Sequence, residues 1–178
     1  MPPAVLMETA RLRFRPHQSS DQDTFVAAQM DAEFRRYLGG RPRTREDATR
    51  RFKNTLQRKP RGPLGMWALA SKDDDTYVGY CTLRSEGGGV HLGYCIVPSY
   101  WQRGFGYEAA HGLVEIARTH NLLPLYAEVE QGNVASERIL RRLDFTPVRE
   151  EYLAHSGRTL IHFKLASGAH GLDTEKVS

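Results

Sequence analysis

The sequence predicts an α+β domain on one mixed, mostly antiparallel sheet of about seven strands with about four helices. Three observations lead there. Three β-patterned segments follow one another between residues 66 and 97, separated only by short polar or glycine turns, so they pair as a meander. Helix-patterned segments with start signals lie before and after that meander. The order of strand, two helices, three strands, helix, strand, helix and two strands is not a βαβ alternation.

Residues 10–15, A-R-L-R-F-R, place Leu12 and Phe14 on one face and stop at Pro16, as a first strand should. Ser20 with Asp23 is expected to cap a helix over residues 24–30, with Phe25 and Ala28 on one side. Gly39, Gly40 and Pro42 break the chain, and Thr44 with Asp47 opens a second helix to about Gln57. Ala48, Phe52 and Leu56 recur there every four residues. After a Pro/Gly loop come strands over residues 66–71, 76–84 and 90–97, the last with Val90, Leu92, Tyr94 and Ile96 on one face. A helix from Gly104 to about His120 buries Ala109, Leu113, Ile116 and Ala117. Residues 124–130 form the next strand. Gly132 and Asn133 open a helix with Ile139, Leu140 and Leu143 inward and Glu137, Arg138, Arg141 and Arg142 outward. Two strands over residues 145–153 and 158–165 close the order. The chain reads as a single domain, 1–178, with residues 166–178 a polar, flexible tail.

At 178 residues the chain can bury a core without disulfides or metals. No apolar run approaches a membrane span, and the N-terminus lacks a signal peptide's apolar core, so a cytoplasmic protein with no membrane partner is expected. Cys81 and Cys95 fall in strands and read as free thiols. The net charge of +4 is uneven: nine basic residues between Arg41 and Arg61 against Glu46 and Asp47 make that segment +7. It is either a basic wall for an acidic partner or a solvated helix face. Only Phe52 interleaves with its cations, which argues against nucleic acid.

The chemistry concentrates in V-P-S-Y-W-Q-R-G-F-G-Y-E-A-A, from Val97 to Ala110. A strand ends at a proline and a short turn carries Gly104 and Gly106 into a helix. Such a start leaves main-chain N–H groups unpaired, and two residues without Cβ let a phosphate approach them. The G-x-G-x-x-A match alone would suit a dinucleotide, but six residues separate Val97 from Gly104 and the preceding strands are a meander. That context fails the Rossmann test and leaves a nicotinamide enzyme as a distant alternative.

Four segments together resemble the GNAT superfamily of acetyl-coenzyme A-dependent N-acetyltransferases, and most its Rim-type branch, which includes ribosomal-protein alanine N-acetyltransferases. They are E-T-A-R-L-x-F-R from Glu8, H-L-G-Y-x-I-x-P from His91, Y-W-Q-R-G-F-G-Y-E-A from Tyr100 and N-V-A-S-x-x-I-L-x-x-L-x-F from Asn133. The resemblance spans Glu8 to about Leu165. It implies a sheet whose fourth and fifth strands splay apart to admit the pantetheine arm of acetyl-coenzyme A. Main-chain groups of Ile96 and Val97 would then bond the arm and polarise the thioester carbonyl. Gln102, Arg103, Gly104, Phe105, Gly106 and Tyr107 would hold the pyrophosphate, with Arg103 adding a charge or standing solvated. Asn133 would bond the arm. No metal is implied.

For catalysis the resemblance points to Ser136 as the hydroxyl that meets the departing thiolate, since the tyrosine of many relatives is replaced here by Leu140. Helix capping is the structural alternative for Asn133 and Ser136. His91 and Glu130 are the candidate bases, with Glu86 and Glu128 weaker and His111 structural. His91 has the alternative of a plain strand histidine. Trp101 and Asp144 depart from the wider superfamily's pattern without removing cofactor binding. The reaction implied is direct acetyl transfer to a primary amine, on a peptide N-terminus or a small molecule. The basic segment, expected near the acceptor wall, argues against polycationic acceptors. A homodimer is compatible with the fold. The alternative from another class is a non-catalytic acyl-coenzyme A sensor.

Overall fold

The computed structural model describes residues 5–168; the expected tail lies largely outside them. Eight strands form one sheet in the order β1-β2-β3-β4-β5-β6-β8-β7. These are β1 (Met7–Glu8), β2 (Leu12–Arg15), β3 (Gly65–Ser71), β4 (Tyr77–Glu86), β5 (Gly89–Ile96), β6 (Leu125–Glu130), β7 (Thr146–Leu153) and β8 (Arg158–Leu165). The helices are α1 (Gln22–Met30), α2 (Ala32–Arg35), α3 (Arg45–Gln57), α4 (Phe105–Thr119) and α5 (Val134–Arg142). The fold class is the expected one, and β3–β4–β5 is the antiparallel meander. No helix among the described residues is long and apolar enough to cross a membrane.

The departures have local causes. The expected first strand is a small hairpin of β1 and β2, because its corner is held by α4: the Thr9 hydroxyl and the Arg11 N–H both donate to Glu108 Oε1, at 2.6 and 2.7 Å. Ser20 and Asp23 do not cap α1. Asp21 precedes it, and its carboxylate is taken by Arg15 and by the Gln18 N–H, so no side-chain cap forms. The additional helix, α2, starts at Asp31, whose carboxylate accepts from the Phe34 N–H at 2.7 Å. Thr44 does cap α3, accepting from the Asp47 N–H.

Strand alternation divides the interior into two layers. On one face, α4 and α5 pack on Leu12, Phe14, Leu69, Leu83, Leu92, Leu125, Val129 and Phe163. On the other, Phe25, Phe34, Ala48 and Phe52 of α1–α3 meet Ala68, Tyr77 and Val97. This second layer also buries Arg15, which makes a bidentate pair with Asp21 at 2.9 Å for each bond. His17 sits beside it between Phe25, Phe52 and Tyr77, with both ring nitrogens buried and unpartnered. Burial holds the His17 pKa down to about 4, with Asp21 opposing that shift and Arg15 adding to it.

The expected fourth and fifth strands are β5 and β6, the one parallel pair. They match only at Val90↔Leu125 and His91↔Tyr126 and then part. That V-shaped gap positions the site.

Candidate active site

A cleft of about 580 Å³ opens where β5 and β6 separate. Tyr94, Cys95 and Ile96 of β5 form its floor, the α4 loop and the first turn of α5 form one wall, and the α2 region forms the other.

The α4 wall is built from main chain. A 3-10 turn at Pro98–Tyr100 fills the space between strand and glycines. Gln102 and Gly104 both have left-handed backbones, φ 57° and 81°, which turn the chain sharply into the helix. The first helical bond runs from the Glu108 N–H to the Gly104 carbonyl at 3.1 Å, so the N–H groups of Phe105, Gly106 and Tyr107 have no helical partner. With the positive end of the α4 dipole there, this is a place for an anion. Gly106 is tightly packed: a Cβ would lie 3.2 Å from Ile139 Cδ1, which would have to give, and 3.8 Å from Tyr94 Cε2. Glu108 anchors the turn from behind. Burial would raise its pKa, but hydrogen bonds from Thr9 and Arg11 and the Arg11 charge hold it below the usual range.

On β5 the Val97 N–H donates to the Val78 carbonyl at 2.9 Å, so it is committed to the sheet. Main-chain groups alternate along an antiparallel ladder, which turns those of Ile96 toward the gap. The Trp101 indole Nε1–H donates to the Ile96 carbonyl at 2.6 Å. Of the expected pair, only Ile96 keeps an N–H available to a bound carbonyl.

Asn133 caps α5, its Oδ1 accepting from the Ser136 N–H at 3.2 Å. Asn133 and Ser136 both line the cleft. Facing Ser136 is the Tyr94 hydroxyl, buried and without a well-formed hydrogen bond. Burial pushes the Tyr94 pKa up to about 12, with the Ser136 hydroxyl opposing the shift. Cys95 is likewise pushed up to about 11 by burial, partly offset by Tyr80 and Arg35, so it stays a protonated thiol rather than a nucleophile. Both cysteines are free.

The opposite wall carries Phe34, Tyr37 and Leu38, with Glu33 and Arg36 paired at 3.4 Å. The Tyr37 hydroxyl donates to the Gly132 carbonyl at 3.1 Å, strapping this wall to the β6–α5 loop. Glu33 is the one carboxylate among the described residues that line the cleft, and no histidine lines it.

The structure thus brings together Ile96, Gln102, Gly104, Phe105, Gly106, Tyr107, Asn133 and Ser136. It leaves out four expected residues. His91 stands where β5 and β6 are still paired, stacked on Tyr126 with ring centroids 5.3 Å apart. It is five residues from Ile96, hence about 16 Å along the strand and on the other face. Glu130 is ion-paired with Arg158, so its carboxylate is already engaged outside the cleft. The Arg103 guanidinium lies over the Tyr100 and Phe105 rings, 5.1 and 5.4 Å from their centroids, rather than in the cleft. Val97 faces β4. Of the weaker candidates, Glu128 neighbours His91 and His162, and His111 stacks on Tyr107. The basic segment is also displaced from its expected place: no α3 residue lines the cleft, and Asp47 gathers Arg43, Arg50 and Arg51 on the helix surface. Sequence reasoning missed Tyr94 and the α2 wall. Tyr94 shares a strand face with Ile96, a signal that was present, whereas a four-residue helix leaves almost none.

Residues 11–146 match the family described as acetyltransferase (GNAT) domain. Among solved structures, a GNAT-family acetyltransferase from Bacillus anthracis superposes with a TM-score of 0.78 at 15% identity, covering 90% of this chain and 97% of that one. RimL, described as a ribosomal L7/L12 α-N-protein acetyltransferase, gives a TM-score of 0.75 at 15% identity, covering 93% and 95%. A structure of RimL in complex with coenzyme A gives 0.75 at 16% identity, covering 94% and 100%. At these identities the likeness is one of fold.

Proposed function

The chain belongs to the acetyltransferase (GNAT) domain family, and from that premise we propose that it moves an acetyl group from acetyl-coenzyme A to a primary amine by direct attack. One observation carries the reading. The gap between β5 and β6 joins the open helix start of α4 and the inward-turned Ile96 peptide in a single cleft. A pyrophosphate would bond the N–H groups of Phe105, Gly106 and Tyr107, the pantetheine arm would lie along β5 with Asn133 beside it, and Ile96 N–H would meet the thioester carbonyl.

The chemistry of the cleft supports attack without an acyl-enzyme. Its one thiol, Cys95, is half-buried with its pKa pushed up to about 11, which supports the amine itself as the nucleophile. With Glu33 the one carboxylate on the wall, deprotonation is weakly assisted. An amine that is partly neutral at pH 7 is therefore favoured. An α-amine with pKa ~8 is about a tenth neutral, a lysine near ~10.4 less than a thousandth. A peptide N-terminal amine is the acceptor class we favour over a lysine side chain, with small-molecule α-amines as the second class.

The test is a screen of peptides with free and blocked N-termini beside lysine-bearing and small amines, following coenzyme A release. Acetylation of free N-termini supports the reading. Faster acetylation of lysine side chains would overturn the acceptor class. Tight coenzyme A binding with no turnover of any amine would favour the sensor instead.

A further inference from the structure

The Tyr94 hydroxyl is the cleft's unexplained group. Hydroxyls buried without a partner cost free energy, and a phenylalanine would fill the same space without that cost. Here the ring packs beside Gly106, and its buried, unpartnered oxygen shares the cleft lining with Ser136 on the first turn of α5. Ser136 has its own N–H fixed by Asn133, so its hydroxyl is held at a defined place on the cleft wall. A serine hydroxyl can accept and donate at once. Two hydroxyls in one cleft lining, neither taken by the sheet or by a charge, can close into a chain with one open end.

We propose that Tyr94 is a positioning residue for the departing sulfur of coenzyme A: once the cofactor is bound, its O–H donates to Ser136 Oγ, and the Ser136 hydrogen is thereby aimed at the sulfur. This rests on the coenzyme A reading above. In the transfer step the amine nitrogen bonds the carbonyl carbon and the carbon–sulfur bond breaks, sulfur keeping the electron pair as a thiolate. The proton lost from nitrogen goes to solvent, and solvent later protonates the sulfur. Tyr94 and Ser136 keep their protons and supply hydrogen bonds only. Tyr94 suits that part because it remains a donor across the working pH range. A hydrogen bond to an ionised acceptor is stronger than one to a neutral acceptor. The pair therefore favours the thiolate over the thiol and the thioester.

Calorimetric binding of coenzyme A and of desulfo-coenzyme A, which lacks the sulfur, tests this without turnover. The measurement is made between pH 7 and 10 on the wild type, Tyr94→Phe, Ser136→Ala and the double variant. For the wild type, the preference for coenzyme A should grow about tenfold as the thiol ionises. Ser136→Ala should abolish that growth, Tyr94→Phe should remove most of it, and the double variant should match Ser136→Ala. Tyr94→Phe should also melt no lower than the wild type, because it deletes an unpartnered hydroxyl. A Tyr94→Phe profile identical to the wild type, or a further loss in the double variant, would overturn the relay. If Tyr94→Phe fails to fold, the orphan-hydroxyl premise is wrong and the proposal falls with it. Failure of the wild type to bind either ligand would instead remove the coenzyme A reading itself.

Discussion

The two faces of the sheet solve different problems. The α4–α5 face buries apolar side chains, and apart from the Tyr94 hydroxyl its polar work is done by main chain at the start of α4. The α1–α3 face buries a charged pair, a neutral histidine and a tyrosine hydroxyl among its aromatic rings. A layer of plain hydrophobes holds its geometry over a wide range of conditions. A layer whose packing depends on ionisation does not. The proposed cofactor wall thus rests on the insensitive layer, and the acceptor wall on the sensitive one.

Breaking the Arg15–Asp21 pair should separate the two layers most sharply. Asp21→Ala leaves a buried guanidinium with half-exposed Asp75 as its remaining carboxylate and should cost about 3–5 kcal/mol in urea unfolding. An Arg15→Met, Asp21→Leu double variant should recover most of it. A single variant within 1 kcal/mol of the wild type would show that water reaches the pair and that the contrast is weaker than the burial implies.

Acid comes next. Folded His17 resists a proton until about pH 4, whereas the unfolded chain takes one up near 6.5. Between those values the unfolded state binds more protons, so stability falls as pH drops through the window and is unaffected above it. The full loss is about 3 kcal/mol. His17→Phe should flatten that part of the pH–stability curve, and an unchanged slope would refute the assignment.

On the other face the sensitive feature is shape. Gly106→Val pushes a side chain against Ile139 and Tyr94, and kcat/KM should drop by about 100-fold with little loss of melting temperature. The smallest effect is expected at the closed end of the V. His91→Asn should leave kcat and KM within about twofold of the wild type, the range expected of a residue that touches neither cleft wall. A loss of ten-fold or more would return His91 to the reaction.

The apolar layer was largely legible in the sequence, because strand and helix periodicities report burial directly. Val90, Leu92, Tyr94 and Ile96 share a face as read, and α4 buries the four residues expected of it. The glycine turn was legible because Gly104 and Gly106 have few other uses. His91 and Glu130 show where such reading stops. Their side chains have suitable chemistry, but the sequence does not say where along a strand pair the gap opens. That depends on how far β5 and β6 stay in register. A carboxylate's long-range partner, such as Arg158 for Glu130, is equally invisible. So is Val97's engagement with Val78, since which peptide faces a neighbour and which a gap depends on register.

Trp101, held to Ile96 at the cleft, is also a light-emitting group. The chain has two tryptophans: Trp67 is buried at 5% exposure, and Trp101 is 40% exposed on the cleft. Their emission therefore separates by solvent access, one fixed blue component and one red component at the proposed binding wall. Occupancy of the cleft should shift or dim the red component alone, so that the protein carries its own optical gauge of ligand binding. A Trp101→Phe variant, keeping only Trp67, should be blind to the same titration.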